Sequence, residues 1–323
     1  MVDSRLYQDV PAIIFESVLF LKPYFFMIHN KFTGSIFLFF FLCTILFIKC
    51  SPSKNSTAAN NNNKEIIFFD DFSGAALDTS KWNVIVTGST VNNEQQAYVD
   101  SSLTIFMAKE NDLDGAVNGA LVLQPRFSPG FVTKEGKNFD FISGRIDSRD
   151  KVEFTYGTVE ARIKLTDGPG LWPAWWLLGK GRWPNSGEID IMEYIGEKDW
   201  ASAAVHGPGY SGETPFVNRM YFPKNNDVTD WHIYAVDWTQ DSMVFKYDNV
   251  PMFRVTRPMV EHFGKWAFDN SNFLILNFAL GGAFPVKING VKQPYNGLPS
   301  STVELIKRNQ SKMLVDWVRI TKN

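Results

Sequence analysis

The segment Gly187–Tyr194 reads G-E-I-D-I-M-E-Y, which sets three carboxylic acids within six residues of an otherwise apolar run. Paired carboxyls are the tools of glycosidic bond cleavage. One, ionised, attacks the anomeric carbon; the other, protonated, delivers a proton to the leaving oxygen. Glu188 and Asp190 lie two apart, so on a β-strand they share one face while Ile189 and Ile191 turn into a core. Strict alternation would send Glu193 inward with the isoleucines, where an unpaired carboxylate is costly. A β-bulge at Ile191–Met192 absorbs one residue and returns Glu193 to the face of Glu188. That brings the two glutamates toward the ~5–5.5 Å spacing that retaining glycosidases use. Like charges so close raise one pKa, and Asp190 between them is placed to hydrogen-bond the nucleophile. The same acids would also suit a solvated strand face or a cation site. Their setting favours cleavage chemistry, because W-P-N-S-G (183–187) precedes them and a Trp-rich strand, G-L-W-P-A-W-W-L-L-G (170–179), lies just upstream.

These residues need strands to hold them, and the chain supplies strands. From Glu65 onward, runs such as GALVLQP, YGTVEARIKL, WHIYAVDWT, FLILNFAL and MLVDWVRIT recur, separated by Gly, Pro, Asn and Asp. Val159, Ala161 and Ile163 alternate with Glu160, Arg162 and Lys164, the period-two pattern of a strand with one face buried. One helical turn is expected near Met259–Phe263. No βαβ rhythm, internal repeat or second linker interrupts 65–323, so the expectation is one all-β domain, a sandwich of two sheets. The ten Trp all lie beyond residue 80. The core will claim half or more; others are candidate stacking platforms for the apolar faces of sugars.

Composition narrows the partners. The net charge is −2 with no basic run, which argues against nucleic acid. The only cysteines, Cys43 and Cys50, lie in the N-terminal region, so no disulfide or thiolate metal site braces the domain. Ser35–Ile48 is an apolar run of fourteen residues, short of the ~20 that span a bilayer and suited to a signal-peptide core. Residues 1–50 are therefore read as an export segment, with Met27, followed by I-H-N-K, as an alternative start. Cys50 resembles a bacterial lipoprotein cysteine, although Lys49 stands where a small residue is usual; ordinary cleavage further on, or an uncleaved anchor, are the other readings. Residues 51–64, S-P-S-K-N-S-T-A-A-N-N-N-N-K, read as a disordered tether. The expected product is an exported protein, either secreted or a surface (outer-membrane) lipoprotein, with no oligomerisation signal and monomer as the default.

With these residues in hand, the chain resembles glycoside hydrolase family 16, and within it the laminarinase-like endo-β-1,3-glucanases. The resemblance rests on F-D-D-F (69–72), N-N-E-Q-Q-A-Y (92–98), S-G-R-I (143–146) and Y-G-T-V-E-A-R-I-K-L (156–165). It continues through 170–179, 183–196, V-H-G-P-G-Y-S-G (205–212), L-I-L-N-F-A-L-G-G (274–282) and M-L-V-D-W-V-R-I (313–320). It implies a jelly-roll sandwich of two curved antiparallel sheets of the concanavalin A type, with the glycan in a concave cleft. It implies Glu188 as nucleophile, Glu193 as acid/base and Asp190 as the assisting acid, in the longer E-x-D-x-x-E form. For substrate it implies Asn93 and Arg145 on sugar hydroxyls, Trp172 and Trp176 lining the cleft with Trp175 turned away, and Trp183 as a stacking platform. His206 is expected on the catalytic carboxylates or the sugar, or bracing a Gly-Pro-Gly turn. Tyr98 and Arg162 are read as structural. The resemblance implies no catalytic cofactor but a structural Ca²⁺, with Asp316 and the carbonyl of Gly119 as candidate ligands, unless Asp316 pairs with a Lys or Arg instead.

Two stretches depart from the family pattern. Ala283-Phe284-Pro285 replaces the usual Asn-Trp-Pro, and 124–142 is expected to form a longer loop. The implied activity is retaining endo-cleavage of β-1,3-glucan. The alternatives are a mixed-linkage glucanase, a galactan hydrolase, a transglycosylase, or a glycan-binding lectin, which typically lacks one or more of the acids present here.

Overall fold

The computed structural model describes residues 64–109 and 113–323. The export segment, Met27, Cys50 and all of the tether except Lys64 lie outside the described residues. In chain order the elements are β1 (Ile66–Asp70), β2 (Asn83–Val84), β3 (Gln96–Tyr98), β4 (Ile105–Ala108), β5 (Ala120–Leu123), β6 (Arg126–Val132), β7 (Asn138–Ser143), β8 (Arg145–Asp147), β9 (Glu153–Phe154) and β10 (Gly157–Lys164). There follow β11 (Leu171–Gly179), β12 (Glu188–Glu193), β13 (Trp200–His206), β14 (Phe216–Tyr221), β15 (His232–Trp238), β16 (Ser242–Tyr247), β17 (Val250–Thr256), α1 (Arg257–Glu261), β18 (Asn272–Leu280), α2 (Ala283–Asn289), α3 (Ser300–Lys307) and β19 (Met313–Thr321).

Two antiparallel sheets face each other. One runs β17-β16-β15-β10-β19-β5-β4, with β1 on the far end of β19. The other runs β14-β13-β12-β11-β18-β8-β2, with β9 also on β18. Alternation decides the packing. Val159, Ala161 and Ile163 of β10 are fully buried, and Glu160, Arg162 and Lys164 between them are not. From the second sheet, Trp175, Leu177, Ile189 and Ile191 enter the same core. Six of the ten Trp are buried, so the core claims the majority.

Three differences from the sequence reading stand out. Residues 124–142 are not a loop: β6 and β7 form a hairpin, and β3 adds to it in parallel as a third sheet. Its apolar side is an aromatic cluster in which Phe141 meets Phe127 and Tyr295 edge-on. The expected helical turn lies at Arg257–Glu261, two residues early, with Pro258 inside its first turn. Helices α2 and α3 were not anticipated; the turn Gly281–Gly282 and Pro299 open them, and both are too short to show a clear period.

The candidate calcium residues sit on β19 and before β5. Asp316 is buried, and both of its oxygens are engaged. Oδ1 accepts from the Val117 backbone N–H at 2.9 Å, and Oδ2 accepts from the Arg162 guanidinium. Each oxygen thus accepts one hydrogen bond, and the pairing with an arginine, the other expectation for Asp316, is present. Removing one partner of such a pair strands the other in low dielectric. Arg162→Ala is accordingly expected to lower the melting temperature, whereas adding calcium or a chelator leaves it where it was. A chelator-induced drop in melting temperature of several degrees would reverse this assignment.

Candidate active site

Five neighbouring strands of the second sheet, β13, β12, β11, β18 and β8, carry all the candidate active-site residues but Asn93 and Trp183, which lie on loops. Residues directly opposite in an antiparallel ladder share a face. Asp190 lies opposite Trp176, and Glu193 lies opposite Ala174. Three residues on β12 thus span what two span on β11, which is the expected bulge. The partner β13 slips at the same place, between Asp190 and Glu193. Ile191 and Met192 are fully buried, and Glu193 emerges beside Glu188 and Asp190.

The acids are held by indole N–H groups and by each other. The Trp172 Nε1–H donates to Glu193 Oε1 at 3.1 Å. The Trp183 indole and the Asp190 carboxyl lie beside Glu188, and both favour its ionised form. Burial, then the charge of Glu193, pushes Glu188 up to about 7, against these two neighbours. Burial pushes Glu193 to about 7 too. Burial and the two glutamates push Asp190 well above the usual carboxylate range. A protonated Asp190 donates its O–H to Glu188 and favours the anion there.

His206 pairs across the ladder with Glu188. Its Nδ1 accepts the Gly212 backbone N–H at 3.2 Å, so the ring proton sits on Nε2. That nitrogen faces Asp190 Oδ2 at 3.4 Å and Glu188 Oε1 at 3.9 Å. Burial holds the imidazole neutral, down to about 4, and a protonated Asp190 offers no opposing charge. One ring thus braces the 207–212 turn and faces the acids.

The remaining residues form a second group. The Arg145 guanidinium lies 5.1 Å from the Trp176 ring centroid and 5.9 Å from that of Tyr98. Behind it runs a directed chain: Trp176 Nε1–H to Asn277 Oδ1 at 2.7 Å, then Asn277 Nδ2–H to the Tyr98 hydroxyl at 3.0 Å, with Glu94 beside that tyrosine. Glu94 and Asn277 were missed from sequence. The signals were present, since Asn277 interrupts the apolar run L-I-L-N-F-A-L and Glu94 adjoins Asn93. Asn93 itself is exposed, on a loop clamped to the start of α2 by Ala283 N–H to Asn92 C=O at 2.7 Å. Gly282, at φ 98°, permits that clamp, because a Cβ there would meet the Asn92 carbonyl oxygen at 2.7 Å. Trp172 is more buried than a stacking platform, its ring packed edge-on against Phe284 at 5.7 Å. Trp183 is the exposed one, at 44 %.

Raised carboxyl pKa values have a stability consequence. A folded-state value of about 7 against 4.5 means that the folded protein favours the protonated acid. That contribution is full below about 4.5 and is lost as pH rises through about 7. Glu193→Gln removes the titration while keeping an acceptor for Trp172. The variant is expected to melt higher than the unaltered protein at pH 8, with the gap closing by pH 4. An equal shift at both pH values would show that Glu193 is not desolvated in the folded state.

Residues 78–273 match the model for glycosyl hydrolases family 16. The chain is 31 % identical to glucan endo-1,3-beta-glucosidase A1 of Niallia circulans over 78 % of this chain and 37 % of that one, so it spans little more than a third of that relative. It is 31 % identical to the beta-glucanase of Rhodothermus marinus, over 76 % of this chain and 85 % of the relative. Among solved structures, the endo-beta-1,3-glucanase of Pyrococcus furiosus superposes with a TM-score of 0.67 at 31 % identity, covering 81 % of this chain and 96 % of that one. The sandwich is thus the jelly roll expected from sequence, and the chain belongs to glycosyl hydrolases family 16.

Proposed function

We propose that the protein is a retaining endo-glycosidase that hydrolyses β-1,3-glucan. The observation that carries this reading is the bulged strand β12, which sets Glu188, Asp190 and Glu193 on one aromatic-lined face. Glu188, ionised, attacks the anomeric carbon while Glu193 gives its proton to the departing glycosidic oxygen. The glycosyl–enzyme ester forms and the far half of the glucan leaves as an alcohol. Glu193, now ionised, takes a proton from water, which displaces Glu188 and restores both groups. Two inversions leave the configuration retained. Asp190 and the Trp183 N–H hold Glu188 as the anion before attack. Arg145 and Trp176 offer guanidinium donors and a flat ring to the sugars, with Asn93 at the far edge and His206 beside the acids. The activities of these three relatives support β-1,3-glucan as the substrate. The apolar run 35–48, Cys50 and the polar stretch behind it support export, with Cys50 as a site of lipid attachment to a membrane. The domain is taken as a monomer.

Reducing-sugar release by residues 65–323 on laminarin, barley mixed-linkage glucan, agarose and carrageenan tests the substrate, with laminarin expected to lead. Activity elsewhere and none on laminarin would keep the carboxylate chemistry and replace the substrate. Glu188→Gln is expected to lose at least about 10⁴-fold in kcat while still binding glucan, the scale of losing a covalent nucleophile. Glu193→Gln is expected to be rescued by azide on aryl glycosides with good leaving groups, since the first step then needs no acid.

A further inference from the structure

A bulge returns a side chain to the right face at the cost of the ladder. Ile191 is the residue left without an opposite number on β11, since Met192 lies opposite Trp175 and Asp190 opposite Trp176. On β13, too, it has no opposite number, and it is fully buried. The opposite sheet supplies a partner: the hydroxyl of Tyr247, on β16, donates to the Ile191 carbonyl at 3.1 Å across the core. Tyr247 is fully buried and its ring is fixed, edge-on to Tyr234 at 4.7 Å and stacked with Phe222 at 6.1 Å. The hydroxyl therefore has a set position, and so does the carbonyl it binds. Two residues further along, the chain presents Glu193.

We propose that Tyr247 is a positioning residue for catalysis, pinning the bulge at Ile191 so that Glu193 meets the glycosidic oxygen. The claim rests on Glu193 as the proton donor. Without the bond, the bulge has no anchor on the core side and Glu193 samples neighbouring orientations. The loss falls on proton delivery, since Glu188 lies before the bulge and keeps its own partners, Trp183, Asp190 and His206.

The molecule carries its own control. Tyr234 lies against Tyr247, is equally buried, and its hydroxyl has no hydrogen-bond partner. Tyr247→Phe and Tyr234→Phe remove the same atom from the same cluster, but only one of them touches the bulge. Tyr247→Phe is expected to lower kcat on laminarin about tenfold with little change in KM, the scale of one lost buried hydrogen bond. It should cost far less on an aryl glucoside whose leaving group needs no acid. Tyr234→Phe should match the unaltered protein on both. In a Glu193→Ala background, Tyr247→Phe should add nothing further on the aryl substrate. The proposal is overturned if the two Tyr variants behave alike, if both substrates suffer equally, or if the Glu193→Ala background shows a full additive loss. It is also overturned if Tyr247→Phe alone fails to fold, because the bond would then hold the sandwich rather than one carboxyl. An inactive unaltered protein, or Glu193→Gln without azide rescue, would instead strike the underlying assignment of Glu193.

Discussion

Three carboxyls within one short strand face, partly shielded from water, cannot all carry charge. Desolvation and mutual repulsion force protons onto some of them, and the rest of the site is an answer to where those protons go. Asp190, the most buried, sits between the two glutamates and is pushed well above the usual carboxylate range. Trp183 and Asp190 beside Glu188 favour its anion. Glu193 accepts one indole N–H, from Trp172. Burial lifts both glutamates to about 7 alike, so in the proposed mechanism it is this difference in neighbours that separates nucleophile from acid.

The same constraint explains the neutrality of His206. An imidazolium beside three ionised carboxyls would have been the simplest electrostatic arrangement, and it would have pulled the acids down into the ordinary range. Burial prevents it, and the Gly212 N–H fixes the tautomer that donates toward the acids without charge. Arg145, the nearest fixed cation, stands beyond Trp176, with its guanidinium between two aromatic rings and its field reaching Glu188 only weakly. The acids are left to share protons among themselves.

Much of this was legible in the sequence, for identifiable reasons. Period-two alternation located the strands, and the energetic impossibility of sending Glu193 into the core located the bulge before any coordinates. The two-sheet fold and the separation of Trp175 from Trp172 and Trp176 follow from the same arithmetic. What escaped were contacts between elements distant in the chain. The hairpin at 126–143 hid because Pro129, Gly130 and Gly136 imitate a loop. The Tyr247–Ile191 bond joins two sheets, so neither strand announces it. Glu94 acquires meaning only when Tyr98 and Asn277, 179 residues apart, are brought together. Local periodicity reports which way a side chain points; it does not report what is waiting on the other side.

The choice of aromatic residue at each position follows from the same accounting. The chain has 28 Phe and 10 Trp, so a ring alone is available cheaply from Phe. Beside the acids, Trp stands where an N–H is used: Trp172 for Glu193 and Trp176 for Asn277. Phe284 stands where the family usually carries a Trp, and there it supplies only a ring edge against Trp172. An indole brings a directed proton as well as a ring, and at Trp172 and Trp176 that proton is spent inside the protein, on a carboxyl and on a carboxamide, which a Phe at either position would leave without a donor.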